Sequence, residues 1–142
     1  GGGAGGGWSH RVTLTHNAGV MCLALSRSRR IAFTGSNDGQ GLRAWALPSG
    51  ACLAHVGGFG CAVSAMSWHI ASHCLATGTE DGTVSLWDTA TLEGEAPELR
   101  QVHSLPLDQP QGMHVEVVCL TPSADGTALF CGLDDGNIVL LS

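Results

Sequence analysis

Residues 77–88 read TGTEDGTVSLWD and contain a turn signal between two apolar segments. Asp81-Gly82 lies at the centre, where glycine tolerates the positive φ that a tight hairpin turn needs. The residues that follow alternate small polar with apolar side chains and end on Trp87. This pattern predicts a β-hairpin whose second strand is half-buried.

The same pattern occurs twice more in the chain. The turn NDG at 37–39 precedes LRAW at 42–45, and the turn DDG at 134–136 precedes IVLL at 138–141. Three copies of one hairpin in a chain of 142 residues indicate a repeat architecture. Each copy also has a valine fifteen positions before a glycine, at Val20 and Gly35, Val63 and Gly78, and Val117 and Gly132.

Turn residues delimit short β-strands along the remainder of the chain. Strands are predicted at 11–15, 20–25, 31–35, 42–47, 51–56, 63–68, 74–78, 83–87, 99–105, 117–120, 128–132 and 138–141. The first strand of each copy is apolar on both faces, which is typical of a strand covered from both sides. Successive copies are spaced by 43 and then 54 residues, so the second gap holds an insertion at about 89–114.

The charge is unevenly distributed along the chain. Residues 1–56 contain five Arg and one Asp, a net charge of +4, whereas residues 57–142 contain one Arg and eleven Asp or Glu, a net charge of −10. The acidic part should repel nucleic acid and favour basic partners. The chain has no Lys, which excludes Schiff-base lysine chemistry and a phosphate-binding P-loop lysine. No apolar run approaches the length of a membrane span, so no membrane association is expected.

Six cysteines occur without any C-x-x-C spacing, and most lie in or beside predicted strands. We interpret them as small buried apolar side chains of a protein in a reducing compartment, with a disulfide framework as the alternative. The expected location is the cytoplasm, with the nucleus as the alternative. No signal peptide is apparent, because the N-terminus GGGAGGG is rich in glycine and lacks a basic segment followed by an apolar one.

A period near 43, four short strands per copy and the Trp87-Asp88 dipeptide together resemble the tryptophan-aspartate (WD) repeat β-propeller family. The resemblance implies an all-β fold of about three four-stranded antiparallel blades in an incomplete ring. A flexible glycine-rich segment at 1–9 is expected to precede a propeller arc at 10–142. Its repeats are expected at about 10–56, 57–105 and 106–142.

The resemblance also implies a structural tetrad in which a His, a Ser or Thr, a turn Asp and a Trp are joined by hydrogen bonds. Copy one supplies His16, Thr34, Asp38 and Trp45, and copy two supplies Thr77, Asp81 and Trp87, with Phe59 in the His position. Copy three retains only Asp135, with Met113 beside His114, Cys131 and Leu141 in the other positions. The turn aspartates are expected to be buried, with the His and Thr as donors, so Asp81→Ala should cost about 1–3 kcal/mol.

Three blades do not close a propeller, and an arc leaves two apolar blade faces in water. We therefore expect further blades from the same chain, or another copy or partner that closes the ring. The fourth strand at 11–15 belongs either to an otherwise absent blade or to copy three in a closed ring. The 142-residue chain alone is expected to associate through its open faces.

The expected function is a non-catalytic protein-interaction scaffold that binds a protein or peptide partner, of basic character, through the loop face. The candidate partner-binding residues lie next to the turn aspartates or before an inner strand: Asn37, Glu80, Glu116 and Asp134. The competing interpretation is that acidic turns only keep the particle soluble.

Two other classes of function stay open. One is an architectural subunit of a large assembly, such as a cytoskeletal or ciliary complex, and the other is a propeller enzyme. His69 and His73 have an i, i+4 spacing, but they lie in a predicted turn without a third ligand, so no metal or other cofactor is expected. The arginines at 27–30 are interpreted as a solvated turn, with a phosphate or acidic-partner patch as the alternative.

Overall fold

The computed structural model describes residues 7–39, 41–69, 73–107 and 115–142. Within these ranges the chain is all β, with three antiparallel sheets of four, four and three strands and no helix. The expected arc of blades is confirmed, and it is not a closed ring. Residues 1–6 of the glycine-rich segment, residues 70–72 between the two histidines, and Met113 and His114 lie outside the described residues.

Each sheet is a meander in which consecutive strands pair. Blade 1 contains β1 (Val20–Ser26), β2 (Ile31–Ser36), β3 (Leu42–Ala46) and β4 (Cys52–Val56). Blade 2 contains β5 (Val63–His69), β6 (Cys74–Thr79), β7 (Thr83–Asp88) and β8 (Arg100–Pro106). Blade 3 contains β9 (Val117–Pro122), β10 (Leu129–Leu133) and β11 (Ile138–Leu141).

The predicted hairpins connect the second and third strands of each blade. Gly39, Gly82 and Gly136 adopt φ values of 77°, 85° and 91°, a left-handed region that side chains with a Cβ rarely enter. The same register irregularity recurs near the start of all three inner strands, at Val20/Cys22, at Val63/Ala65 and in β9 opposite Gly132/Leu133. A bulge conserved in position among the three copies shows that they share one backbone design.

Neighbouring blades are joined by a valine that lies on a glycine. A Cβ added at Gly35 would lie 2.8 Å from Val63 Cγ1, and one at Gly78 would lie 2.4 Å from Val117 Cγ1. Real Cβ atoms essentially never approach another atom within 3.0 Å, so each contact needs a glycine. Each joint pairs the valine of one copy with the glycine of the copy before it, so the recurrence of both residues in every copy reflects the way one blade packs on the next.

Two apolar cores fill the joints between blades. The first lies between blades 1 and 2 and includes Phe33, Leu42 and Leu75. The second lies between blades 2 and 3 and includes Val84, Val117 and Cys131. The middle blade is thus packed on both sides.

The three inner strands, β1, β5 and β9, are not all covered on both faces, contrary to the expectation from the sequence. β5 packs between β1 and β9, and its first four residues are buried. In β1, by contrast, Met21, Leu23 and Leu25 are exposed because no blade lies against that side within the described part of the chain. Blade 3 exposes its other side, with Val118, Phe130, Ile138 and Leu140 in water.

The strand predicted at 11–15 is wrong for this structure, because these residues form no sheet pairing. The segment instead lies against blade 1. Val12 and Leu14 approach Gly50 closely, and the Thr15 carbonyl accepts a hydrogen bond from Arg43 at 3.2 Å. A strand forms only where a neighbouring backbone edge pairs with it, and this segment contacts blade 1 through the side chains of Val12 and Leu14 and the Thr15 carbonyl instead.

Candidate functional site at the hairpin edge

The hairpin edge is the edge of the arc that carries the turns at 37–39, 80–82 and 134–137 and the residues that precede each inner strand. One backbone hydrogen bond anchors every turn to this edge. The N–H groups of Asn37, Glu80 and Asp134 donate to the carbonyls of Gly19, Ala62 and Glu116 at 2.9, 3.1 and 3.1 Å. The three candidate residues next to the turn aspartates therefore occupy equivalent places in three adjacent blades.

The four candidate residues differ in their exposure to solvent. Asn37, Glu80 and Asp134 are exposed, whereas Glu116 is half-buried. One oxygen of the Asp134 carboxylate accepts the Glu116 N–H at 3.0 Å, so blade 3 ties two of the candidates together. Among the described residues, six carboxylates lie along the hairpin edge: Asp38, Glu80, Asp81, Glu116, Asp134 and Asp135.

In blade 1 three members of the implied tetrad are joined. Trp45 Nε1 donates to Thr34 Oγ1 at 2.8 Å, and Thr34 Oγ1 is hydrogen bonded to His16 Nε2. The His16 and Trp45 rings lie edge to face, with centroids 5.8 Å apart. Burial, followed by the charges of Arg43 and His55, lowers the pKa of His16 below 6.5, whereas the charge of Asp38 acts in the opposite direction. The lowered pKa favours the neutral ring, and because Thr34 Oγ1 already accepts from Trp45, its own proton can be donated to His16 Nε2.

Blade 2 repeats this arrangement without the histidine. Trp87 Nε1 donates to Thr77 Oγ1 at 2.9 Å, and both residues are buried. Phe59 packs on Trp87 with ring centroids 5.8 Å apart, the same separation as His16 and Trp45 in blade 1. An aromatic ring thus fills the histidine position, but it supplies no hydrogen bond.

In blade 3 the turn persists and the buried pair is replaced. Cys131 is buried and Leu141 is half-buried, so apolar packing replaces the Thr–Trp hydrogen bond. Asp135 accepts hydrogen bonds from the Asn137 backbone and side-chain N–H groups, both at 2.9 Å.

The turn aspartates are not buried, contrary to expectation, because they project from the edge of the sheet. Their hydroxyl donors also differ from those expected. Ser36, at 3.0 Å, and Thr79 donate to Asp38 and Asp81 from two positions earlier in the chain. Among the described residues, His16 Nδ1 has no hydrogen-bond partner, so Asp38 acts on His16 through its charge.

The hydroxyl two positions before the turn aspartate is a feature that the sequence analysis missed. Its signal was present as Ser36-x-Asp38 and Thr79-x-Asp81, and it recurs as Ser123-x-Asp125, where Ser123 Oγ donates at 2.7 Å. Desolvation alone would raise the pKa of Asp81, but hydrogen bonds from Thr79 and Thr83 outweigh it and hold this pKa below 3.8. The carboxylates of these turns therefore accept their hydrogen bonds from residues of the same turn.

The sequence analysis interpreted the arginines at 27–30 as a solvated turn. This interpretation is wrong for Arg29. Its guanidinium donates to the Thr89 hydroxyl and carbonyl, both at 2.6 Å, and to Glu93 at 2.7 Å. It also lies 5.9 Å from the centroid of the Trp68 ring. Arg29 therefore joins blade 1 to blade 2 at the edge opposite the hairpins.

The cysteines are free thiols, but only some fit the interpretation as buried apolar side chains. Cys131 is buried, whereas Cys52 and Cys119 are exposed on blade surfaces. Burial raises the pKa of Cys22 to about 11, and its thiol donates to the Val63 carbonyl across the joint between blades 1 and 2.

No group of three or more His, Cys, Asp or Glu side chains in the described ranges is arranged to hold a metal ion. His73 instead lies near Trp68, with ring centroids 6.3 Å apart. In the same residues no helix is long and apolar enough to span a bilayer. A cleft of about 280 Å³ opens beside Asp81 and Trp87, and a larger cleft of about 610 Å³ lies between blades 2 and 3 beside β11.

Comparison with known proteins agrees with this architecture. The WD domain, G-beta repeat family matches residues 8–40 and 50–88. The chain is also similar to the Periodic tryptophan protein 2 homolog of Schizosaccharomyces pombe, at 30% identity over 119 residues. That match covers 82% of this chain and 13% of the relative, so the chain spans a small part of the relative's length. With its hairpins, joints and Thr–Trp pairs in two blades, the chain belongs to the WD-repeat family of β-propeller proteins.

Proposed function

We propose that this chain is a non-catalytic interaction scaffold whose hairpin edge binds a basic protein or peptide. The observation that carries the proposal is the equivalent anchoring of Asn37, Glu80 and Asp134 in three adjacent blades. Side chains held at equivalent positions on rigid strands are pre-organised, which lowers the entropy lost when a partner binds.

The charge of the hairpin edge selects the class of partner. Glu80, Glu116 and Asp134 add to the three turn aspartates, and the fields of carboxylates along one edge sum. Such an edge attracts Arg-rich or Lys-rich segments and repels the phosphates of nucleic acid. We place this binding in the cytoplasm or the nucleus, where the free thiols stay reduced.

Two ionisable groups of this edge, His16 and Asp81, have structural roles. His16 is held by Thr34 within blade 1, and Asp81 is held by Thr79 and Thr83 within blade 2. Both groups therefore stabilise the local structure of their own blade.

The test removes three charges from the hairpin edge and, in a matched control, three from the opposite edge. The first variant combines Glu80→Gln, Glu116→Gln and Asp134→Asn, which keeps the Asp134 oxygen that accepts the Glu116 N–H. The control combines Glu95→Gln, Glu98→Gln and Asp125→Asn, all at exposed positions. Binding of a labelled peptide that alternates arginine with glycine is measured by fluorescence anisotropy at low and high salt.

We expect the hairpin-edge variant to bind about tenfold more weakly at low salt, with a smaller salt dependence, and the control to resemble wild type. Equal losses in the two variants would mean that only net charge matters. That result, or unchanged affinity in the hairpin-edge variant, would contradict the proposal.

A further inference from the structure

We propose that a cleft in blade 2 binds the guanidinium group of an arginine side chain from the basic partner. The inference rests on the proposed function, because it names the side chain that the partner presents beside the hairpin edge. The cleft is the opening of about 280 Å³ beside Asp81 and Trp87. It is smaller than the sites of about 300–1,000 Å³ that hold drug-sized ligands, and its size suits a single side chain.

Blade 1 shows how a guanidinium is held at the equivalent position. Arg43 of β3 pairs with Thr34 in the sheet, and its guanidinium carbon lies 5.8 Å from the centroid of the Trp45 ring. One guanidinium nitrogen of Arg43 donates to the Thr15 carbonyl at 3.2 Å. The next residue in the chain is His16, whose ring lies edge to face with Trp45. An aromatic ring and a backbone carbonyl thus hold this arginine.

Blade 2 keeps the surroundings of this guanidinium and lacks the arginine. In β7, Ser85 pairs with the tetrad threonine of β6, so a serine stands where blade 1 has Arg43. The tryptophan is retained as Trp87, and Gly58 precedes Phe59, which occupies the histidine position. All four of these blade 2 residues line the cleft. The short serine side chain therefore leaves open the space that Arg43 fills in blade 1.

The fourth strand carries a matching replacement. In blade 1, Arg43 pairs with His55 of β4. In blade 2, Ser85 pairs with Ser104 of β8, and the Ser85 hydroxyl donates to the Ser104 hydroxyl at 3.3 Å. Two short hydroxyl side chains thus stand where blade 1 has an arginine and a histidine, which explains why the cleft opens in blade 2.

The polar groups of the cleft suit a planar cation with several donors. Asp81 contributes a carboxylate that is charged at neutral pH, because its pKa lies below 3.8. Gln101 and Ser104 line the cleft from exposed positions and contribute side-chain oxygens that can accept hydrogen bonds. A guanidinium has five N–H donors in one plane and packs on aromatic rings, whereas the lysine ammonium is a compact point charge. The cleft should therefore prefer arginine to lysine.

Blade 3 has a different composition at the same positions. Val139 pairs with Cys131 and so stands at the arginine position, and Leu141 stands at the tryptophan position. A cation placed there would meet apolar side chains and no aromatic ring. Among the described residues, blade 2 alone combines the tryptophan with an open arginine position.

The experiment compares two labelled peptides of equal length and charge, one alternating arginine with glycine and the other alternating lysine with glycine. Fluorescence anisotropy gives the dissociation constants of both peptides at low and high salt. We expect wild type to bind the arginine peptide about tenfold more tightly than the lysine peptide. This ratio should persist at high salt, because screening weakens the long-range attraction of both peptides alike.

Three variants each add one positive charge to blade 2. Ser85→Arg places a guanidinium of the chain itself in the cleft, as Arg43 does in blade 1, and should abolish the preference for the arginine peptide. Ser104→Arg fills the cleft from an exposed position, so it gives the same test if thermal melts show that Ser85→Arg does not fold. The matched control is Val102→Arg, because Val102 lies on the same strand as Ser104, is 51% exposed and does not line the cleft. It should keep the tenfold ratio.

The outcomes separate this inference from the proposed function. Loss of the preference in the cleft variants, with the ratio retained in the control, would support the arginine site. Equal affinity of wild type for the two peptides, an unchanged ratio in the cleft variants, or the same loss in the control would overturn the site and leave the proposed binding at the hairpin edge standing. Failure of wild type to bind either peptide would contradict the proposed function, and this inference with it.

Discussion

Blades 2 and 3 are built from the same repeat and share the same turn, yet they differ in what surrounds them. Blade 2 has four strands, a buried Thr77–Trp87 hydrogen bond and a neighbour on each side. Blade 3 has three strands, an apolar Cys131 and Leu141 in place of that pair, and one face in water. The difference teaches that the repeat specifies the strands, whereas the neighbours determine the burial.

The largest expected difference between the two blades concerns the tryptophan position. Trp87→Ala should cost about 3–5 kcal/mol, because it leaves a cavity and a buried Thr77 hydroxyl without its donor. Leu141→Ala, at the equivalent position in blade 3, should cost about 1–2 kcal/mol because Leu141 is only half-buried. Urea unfolding followed by tryptophan fluorescence and circular dichroism measures both. Similar costs would mean that blade 3 is as tightly packed as blade 2.

A smaller difference is expected at the joint glycines. Gly78→Ala should cost about 1–3 kcal/mol because the new Cβ would press on Val117. Gly132→Ala should cost less than about 1 kcal/mol in the monomer, because the new Cβ meets only the exposed Cys119 thiol. Thermal unfolding at low protein concentration compares the two. The account would be weakened if Gly132→Ala were the more damaging change.

The smallest difference is expected at the turn aspartates. Asp81→Ala should cost about 0.5–1.5 kcal/mol, near the lower end of the range first expected, because Asp81 is exposed and only its donors lie deeper. Asp135→Ala should cost less than about 0.5 kcal/mol, because the donors of Asp135 are exposed.

The pH dependence of the Asp81 contribution follows from its lowered pKa. The folded pKa lies below the ordinary value of 3.8, so the stabilisation is fully present above that value and is lost as the pH falls through the folded pKa. The difference in unfolding free energy between wild type and Asp81→Ala should therefore be constant at neutral pH and shrink below about pH 4. A difference that grew on acidification would contradict this assignment.

The positions of the strands could be predicted from sequence because each hairpin carries its own turn chemistry. Asp81-Gly82 and the alternation after it are local signals, and they predicted β7 to within one residue. The strand predicted at 11–15 failed for the opposite reason. Its alternation is correct for a strand, but alternation does not specify a pairing partner, and among the described residues no strand pairs with this segment.

The positions of the candidate residues in the fold could be predicted from the sequence, whereas their contacts with other segments could not. Equivalent spacing located Asn37, Glu80 and Asp134 at one edge, because spacing is a property of the repeat. The exposure of the turn aspartates and the contacts of Arg29 with blade 2 depend on which side chains approach from other segments. Such contacts are set by the packing of one blade on the next, which cannot be predicted from local sequence patterns.

The most direct test of the account is a double-mutant cycle on the joint between blades 2 and 3. The free energies of unfolding are measured for wild type, Gly78→Ala, Val117→Ala and the double variant. If Val117 occupies the space above Gly78, removing its two methyl groups takes away the contacts at 2.4 and 3.3 Å from the new Cβ and leaves the contact of the Val117 Cβ at 2.6 Å. The crowding is then relieved in part, and the double variant should be more stable than the sum of the single effects by about 1 kcal/mol. Additive effects, within about 0.5 kcal/mol, would contradict the valine-on-glycine joint.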